Sequence, residues 1–363
     1  MKGLEIINCI EQIAPLAYQE DYDNSGLIIG NDDDITGILI TLDITEEVIE
    51  EAINLKTNFV LSHHPLIFSG IKKITGKNYI ERSIIKAIKN DINIYAAHTN
   101  FDNIENGVNI RICKKLGLIN TRILSPRKGE LRKLVTFVPT SHANKVREAI
   151  FNAGAGHIGN YDSCSYNITG QGTFRGDEST NPFVGEKGKL HFEEEVRIET
   201  IFTKHLENNV VQAMIKAHPY EEVAYDIYPL NNEYSKVGSG MIGEFEKPVE
   251  EKDCLKKIKE AFNTKVVKHT KLLGKSVSKV AVCGGSGSFL LKPAMAAKAD
   301  IFVSADFKYH QFFDTENEIV IADIGHFESE QCTLEVFYEL LNEKFHNFAI
   351  HLSKVNTNPT NYI

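Results

Sequence analysis

The sequence predicts a split α/β domain interrupted by an inserted ferredoxin-like α+β unit. The beginning and the end of the chain alternate short apolar strands with helical stretches, which is typical of a parallel sheet covered by helices. Between them the order becomes strand, helix, two strands, helix and strand, the β-α-β-β-α-β order of a ferredoxin-like unit. We predict the first half at 1–127, the insert at 128–245, and a connector with the second half at 246–363.

The strands of the split domain are recognised as short apolar runs bounded by turn residues. The predicted strands are 37–44, 58–62 and 92–97 in the first half, and 279–283, 300–304, 319–322 and 348–352 in the second. Helices are expected from Glu46 and near 80–89. The region 246–279 is rich in Lys and Glu and is predicted as a solvated helix followed by a connector.

The insert is predicted from a strand at 134–138, helices at 143–153 and 208–217, and a last strand at 223–230. The Gly-rich segment 170–188 joins the two middle strands. It is too irregular for a tight hairpin, so we predict a long functional loop.

Composition narrows the class of protein. The 363 residues are 42% hydrophobic and 25% charged, which is ordinary for a multi-domain globular protein. No apolar run approaches the roughly 20 residues of a membrane helix, and the first residues do not form a signal peptide. Together with six scattered cysteines this predicts a cytoplasmic protein, and the net charge of -9 disfavours nucleic-acid binding.

Histidines and carboxylates follow three separate predicted strands. His63 and His64 follow 58–62, and Pro65 ends that strand. Open α/β sheets build their sites at the carboxyl ends of strands. Adjacent side chains of a strand face opposite ways, so two neighbouring histidines at the turn that ends the strand can bind two different metals. Surface histidines beside a turn are the alternative.

The same pattern recurs after two more strands. His98 and Asp102 follow 92–97, and His326 and Glu330 follow 319–322, where a helix would place them on one face. Solvated helix residues are the alternative for the last pair. Nitrogen and oxygen ligands suit zinc, iron or manganese, and their number favours two divalent cations that share a carboxylate.

These motifs resemble those of a known family. His63-His64-Pro65, 97–102 and 325–330, with 21–27 and 356–359, are similar to motifs of the GTP cyclohydrolase 1 type 2 homologues, dinuclear-metal proteins related to NGG-interacting factor. The resemblance covers about residues 1–125 and 275–363. It implies that Glu330 bridges two cations, with Asp102 as a second candidate bridge. The implied metal ligands are His63, His64, Asp102, His326 and Glu330.

The insert resembles the PII-like and CutA-like domain of the longer family members, with 154–161 and 218–222 as its marks. The resemblance implies a toroidal homohexamer whose metal sites face an inner cavity. His157 and His218 are alternatives for a further metal site, although a role in a turn or cap is favoured for both.

Two further features lie near the predicted sheet edge. The Gly-rich segment 284–288 either holds a phosphate at a helix N-terminus or forms a strand-to-helix turn. His310 is a candidate proton donor, and His98 is a candidate proton shuttle.

The sequence therefore predicts a metal-dependent hydrolase, in which two cations lower the pKa of a bridging water, acting on a nucleotide or related small molecule. The family name makes GTP the candidate substrate. The alternative is a non-enzymatic hexameric scaffold that regulates or senses a metal or ligand.

Overall fold

The computed structural model describes residues 1–363. The chain forms two compact units. The first combines Met1–Pro126 with Ser235–Ile363, and the second is Arg127–Tyr234. The split α/β domain with an inserted α+β unit is thus the observed architecture.

Fifteen strands and eleven helices follow one another along the chain. The strands are β1 (Gly26–Ile29), β2 (Ile38–Thr41), β3 (Phe59–Ser62), β4 (Asn93–Ala96), β5 (Ile119–Lys128), β6 (Leu131–Pro139), β7 (Tyr166–Phe174), β8 (His191–Thr203), β9 (Tyr225–Leu230), β10 (Glu233–Glu250), β11 (Lys268–His269), β12 (Ser276–Ser286), β13 (Ile301–Ala305), β14 (Val320–Asp323) and β15 (Ile350–Leu352). The helices are α1 (Gly3–Ile13), α2 (Glu46–Leu55), α3 (Tyr79–Lys89), α4 (Thr99–Asp102), α5 (Val108–Leu116), α6 (Ala143–Asn152), α7 (Glu207–Ala217), α8 (Glu251–Ala261), α9 (Leu291–Ala296), α10 (His326–Glu330) and α11 (Thr333–Lys344).

The first sheet of the split domain has the order β1-β4-β3-β2-β15. β4, β3, β2 and β15 are parallel, and β1 is an antiparallel edge strand. β2, β3 and β4 are buried throughout, as expected for parallel strands covered on both faces. The helix between β2 and β3 begins where the Thr45 side chain accepts a hydrogen bond from the Val48 amide.

The second sheet has the order β11-β14-β13-β12-β10-β5. Its central strands, β12, β13 and β14, are parallel. On one side β10 pairs antiparallel with β12, and on the other β11 pairs antiparallel with β14. The side chains of Phe302, Ile321 and Leu290 lie in its core. The strands β5 and β10 have no counterpart among the predicted elements.

The second unit is ferredoxin-like. Its strands form an antiparallel sheet of order β7-β8-β6-β9. α6 and α7 cover one face of this sheet, where Leu134, Ile198 and Met214 share a core. The unit ends at Tyr234, whereas the predicted insert runs to 245, because residues 241–244 pair with β12 of the other unit's sheet.

None of the helices combines the length and the apolar content that are needed to cross a bilayer.

Candidate metal centre

The backbone ladder between β2 and β3 places the first two histidines. The His63 amide donates to the Thr41 carbonyl at 3.2 Å, and the His64 amide donates to the Leu42 carbonyl at 2.9 Å. The pairing of the strands therefore continues beyond their regular ends. Both imidazoles are fixed at the carboxyl edge of the first sheet, where open α/β sheets bind ligands.

The neighbouring strand β4 ends in a short helix that carries the first carboxylate. The Ala97 amide donates to the Ser62 carbonyl at 2.9 Å, which keeps this end in register with β3. The Asp102 amide donates to the His98 carbonyl at 3.0 Å and closes the turn of α4. This turn brings Asp102 back toward His63.

The second sheet supplies the remaining pair from α10. His326 and Glu330 stand four residues apart on one face, with His326 Nε2 3.0 Å from Glu330 Oε2. Gly285 makes room for this carboxylate, because a Cβ at that position would lie 2.3 Å from Glu330 Oε1. A side chain at residue 285 is therefore incompatible with the observed position of Glu330.

The two oxygens of Glu330 face two different groups of side chains. Oε1 lies 3.7 Å from His63 Nε2, which is itself 3.6 Å from Asp102 Oδ1. Oε2 lies 2.9 Å from His64 Nε2 and 3.0 Å from His326 Nε2. One carboxylate thus joins a group containing His63 and Asp102 to a group containing His64 and His326.

Two donor atoms of the cluster lack hydrogen-bond partners, as expected for atoms that bind a cation. His63 Nε2 and Asp102 Oδ1 are both buried and have no hydrogen-bond partner. A buried polar atom without a hydrogen-bond partner or a bound ion destabilises the folded protein. The ring nitrogens His64 Nε2 and His326 Nε2 also approach to 3.3 Å. In each group the donor atoms lie within 4.8 Å of one another, which is compatible with shared coordination of a metal ion.

Each histidine of the cluster is oriented through its other ring nitrogen. Such outer partners fix the tautomer of metal-binding histidines and direct the free nitrogen to the metal. The Nδ1 atoms lie 2.9 Å from the Ala97 carbonyl oxygen for His63, 2.7 Å from Asp43 for His64, 2.7 Å from Asp23 for His98 and 2.6 Å from Asp306 for His326.

Charged side chains within the cluster shift one another's pKa values. For His64, burial alone would lower the pKa, but the Asp43 and Glu330 carboxylates outweigh it and raise the pKa to about 9. For His326, burial is likewise outweighed by Asp306 and Glu330, which raise the pKa to about 11. Burial and the neighbouring Glu330 carboxylate raise the pKa of Asp102 above its usual range. A cation would relieve this repulsion between buried carboxylates.

The structure brings together the five residues predicted as ligands, together with His98. The ring centroid of His98 lies 5.2 Å from that of His63, and these two form a third candidate group with His64. His310 is not part of the cluster. It is exposed in the 3-10 helix Tyr309–Thr315, where its ring contacts those of Tyr309 and Phe313, and it does not line the cavity described below.

Other predicted features also have structural roles. The Gly284 and Gly285 amides donate to the side chains of Asn109 and Ser329, so they do not form a phosphate cradle. The His218 Nε2–H donates to the Phe137 carbonyl, and its Nδ1 accepts from the Tyr220 amide. His157 is exposed.

Three orienting carboxylates were not assigned a role from the sequence: Asp23, Asp43 and Asp306. Asp43 and Asp306 each follow the end of a parallel strand. Like the histidines, Asp43 and Asp306 stand just beyond the carboxyl ends of strands, and this position is the sequence signal that could have identified them.

The cluster lies in a cavity of about 770 Å³. Tyr22, Phe68, Tyr79 and Phe289 contribute aromatic surface to its lining. Asn358 and Tyr362 from the end of the chain line it as well. This volume is within the range of about 300 to 1,000 Å³ that is usual for small-molecule sites.

The fold and the cluster together define a split α/β protein with buried histidine and glutamate groups that could hold metal ions. The chain belongs to the Duf34/NIF3 (NGG1p interacting factor 3) family, whose profile matches residues 1–359.

Named relatives and solved structures agree with this assignment. A Halalkalibacterium halodurans protein named GTP cyclohydrolase 1 type 2 homolog is 41% identical over 367 residues, covering 99% of each chain. The Bacillus subtilis protein of the same name is 36% identical over 369 residues, covering 100% of this chain and 99% of that protein. A crystal structure of a Bacillus cereus protein related to NIF3 superposes with a TM-score of 0.87 at 40% identity, covering 100% of this chain and 99% of that one.

Proposed function

We propose that this protein holds two divalent cations, of zinc, iron or manganese, and is a metal-dependent hydrolase of a nucleotide or related small molecule. The observation that carries this proposal is the division of Glu330 between two groups, with the unpartnered buried atoms of His63 and Asp102 on one side. Pairs of divalent cations in such centres share a bridging carboxylate. His63 and Asp102 would hold one cation, His64 and His326 the other, and Glu330 both.

When bound, such a pair of cations supplies Lewis acidity and lowers the pKa of coordinated water. The chain itself orients the donors through Asp43 and Asp306, which keep the free nitrogens of His64 and His326 directed inward. The aromatic lining of the cavity offers flat surfaces for a base or another planar group.

His98 is the proposed proton carrier of the site. Asp23 accepts the Nδ1–H of His98, which leaves Nε2 as the free ring nitrogen, and His98 lines the cavity. Replacing His98 by Gln should leave the metal content unchanged and lower kcat. Loss of metal in this variant would instead make His98 a ligand.

The experiment that tests the proposal measures metal content and hydrolysis in the same preparations. His64→Ala and Glu330→Ala should lose metal and any activity toward a panel of nucleotides and phosphoesters together. His346→Ala is the matched control and should retain both, because His346 is exposed and does not line the cavity. Hydrolysis that survives the loss of metal would refute the mechanism.

We also propose that the chain assembles as a homohexamer, as the family resemblance implies. Tyr309 and Phe313 support an interface, because their side chains are 75% and 65% exposed and pack on each other. Light scattering should give the mass of six chains for the wild type, and Phe313→Ser should reduce it. A monomeric wild type would contradict the proposal.

A further inference from the structure

The inserted unit has a cavity of its own, of about 590 Å³. Strand alternation places it on the sheet face away from α6 and α7: Leu134 and Ile198 point into the helical core, whereas Phe137, Glu195 and Arg197 line the cavity. The loop after β7 forms the other wall. The metal centre and its proposed reaction use none of these residues.

The loop is attached to the opposite side of the cavity by a hydrogen bond. The Asn181 amide donates to Glu221 Oε1 at 2.8 Å. Phe183, two residues further along the chain, lines the cavity, and its ring centroid lies 6.4 Å from that of Tyr220. Phe174 completes the aromatic wall, with its centroid 5.9 Å from Tyr220. The cavity therefore has flat apolar walls suited to a planar ligand.

A buried carboxylate stands among these rings. Glu195 is 9% exposed, and its Oε1 accepts a hydrogen bond from the Tyr220 hydroxyl at 2.8 Å. His218 fixes Tyr220 by accepting its amide hydrogen. Oε2 of Glu195 lies beside Gly172, where a Cβ would be 2.1 Å away. The absence of a side chain at residue 172 therefore allows the carboxylate to occupy this place in the cavity wall.

An arginine with an unused donor lies two residues further along the same strand. Arg197 Nη2 pairs with Glu199 Oε1 at 2.8 Å, and the guanidinium lies 5.8 Å from the centre of the Phe137 ring. Its Nε–H is buried and has no acceptor. The Arg197 side chain as a whole is 42% exposed and lines the cavity, so its guanidinium can donate to an acceptor atom of a ligand there.

We propose that this cavity binds an uncharged planar nitrogen heterocycle of the nucleobase type. An N–H group of the ligand donates to Glu195, an acceptor atom of the ligand receives a hydrogen bond from the Arg197 guanidinium, and the rings of Phe174, Phe183 and Tyr220 pack against its faces. Phosphate-bearing ligands are disfavoured, because the three carboxylates Glu195, Glu221 and Glu222 outnumber the two arginines, Arg175 and Arg197, in the lining. This cavity and the cavity of the metal centre have no lining residue in common.

Calorimetric titration of the full-length protein with guanosine, adenosine, cytidine and uridine tests this proposal. At least one nucleoside should bind the wild type. Glu195→Gln should weaken that binding at least about tenfold, because it replaces an acceptor by a donor and removes the charge. Arg197→Met, which keeps an apolar stem, should weaken it to a similar extent. Glu148→Gln, the same change at an exposed position of α6, should bind as the wild type does.

Three results would overturn the proposal. The first is that none of the four nucleosides binds the wild type. The second is that both Glu195→Gln and Arg197→Met, shown by melting temperature to be folded, bind as tightly as the wild type. The third is binding that survives Glu195→Gln and is lost in Glu330→Ala, because it would then belong to the metal centre. Weakened binding in both cavity variants with intact binding in Glu330→Ala supports it.

Discussion

Replacing Gly285 by alanine tests whether the position of Glu330 controls metal binding. The Gly285 backbone has φ of 60°, and an added Cβ would lie 2.3 Å from Glu330 Oε1 and 3.3 Å from His326 Cε1. The carboxylate must then shift by about 1 Å to restore ordinary contact. Because Glu330 contacts both groups of donors, we expect metal affinity to fall by at least about 10- to 100-fold, the range seen when an orienting partner is lost.

Gly274→Ala is the matched control for the backbone cost. Gly274 has φ of 72°, and a Cβ there would meet no atom within 4 Å. Gly274→Ala should therefore lose about 1 to 2 kcal/mol of unfolding free energy, the cost of left-handed backbone for a residue with a Cβ, and Gly285→Ala should lose at least as much. Metal content after dialysis and denaturant unfolding of both proteins separate the two effects. A Gly285→Ala protein that binds metal as tightly as Gly274→Ala would refute the reasoning.

Three further predictions concern other parts of the first unit. Asp43→Asn should lower metal affinity by about 10- to 100-fold in a chelator competition, because it removes the carboxylate that orients His64; unchanged affinity would contradict this. Phe302→Ala should lower the free energy of unfolding in urea by about 3 to 5 kcal/mol, because its side chain is fully buried; a loss below about 1 kcal/mol would show that the core collapses around the gap. Hydrogen bonds from the Thr75 backbone and side chain lower the pKa of Glu81 to about 2, so its contribution to stability is present above its ordinary pKa of 4.5 and is lost as the pH falls toward 2. The stability difference between the wild type and Glu81→Gln should shrink over that interval, and a constant difference would argue against the assignment.

Much of the split domain could be predicted from the sequence, because its central strands are continuous apolar runs. β2, β3 and β4 are buried along their whole length, so their residues are mostly apolar, and the polar exceptions, Thr41, Ser62 and Asn93, stand at strand ends. β10 could not be predicted in this way. It runs from Glu233 to Glu250 with buried and exposed positions intermixed, and its pairing with β12 is a long-range contact that local pattern does not contain.

The composition of the candidate centre was predictable for a different reason. Carboxyl ends of parallel strands in one sheet meet at one edge, so the side chains that follow β3 and β4 must lie near one another. His326 and Glu330 follow β14 of the second sheet, and their contact with the first set is a long-range contact that the sequence pattern does not contain. His310 shows the limit of this argument. It is only five residues beyond the end of β13, but the intervening turn carries it to the surface, and Asp306 holds His326 instead. The direction of a side chain after a strand ends depends on the turn, which residue spacing does not specify.

The role of the glycines at 284 and 285 also required the structure. A Gly-rich segment between a strand and a helix is typical of anion sites, but here the amides are taken by Asn109 and Ser329. The glycines instead permit close approach of Glu330. Only the packing of α10 against β12 distinguishes the two roles.

Anomalous diffraction from crystals of the metal-loaded protein is the most direct test of the account. Two peaks should flank the Glu330 carboxylate, about 3.5 to 4 Å apart, one beside His63 and Asp102 and the other beside His64 and His326. A single peak, or metal bound elsewhere while these side chains keep their present contacts, would contradict a dinuclear centre.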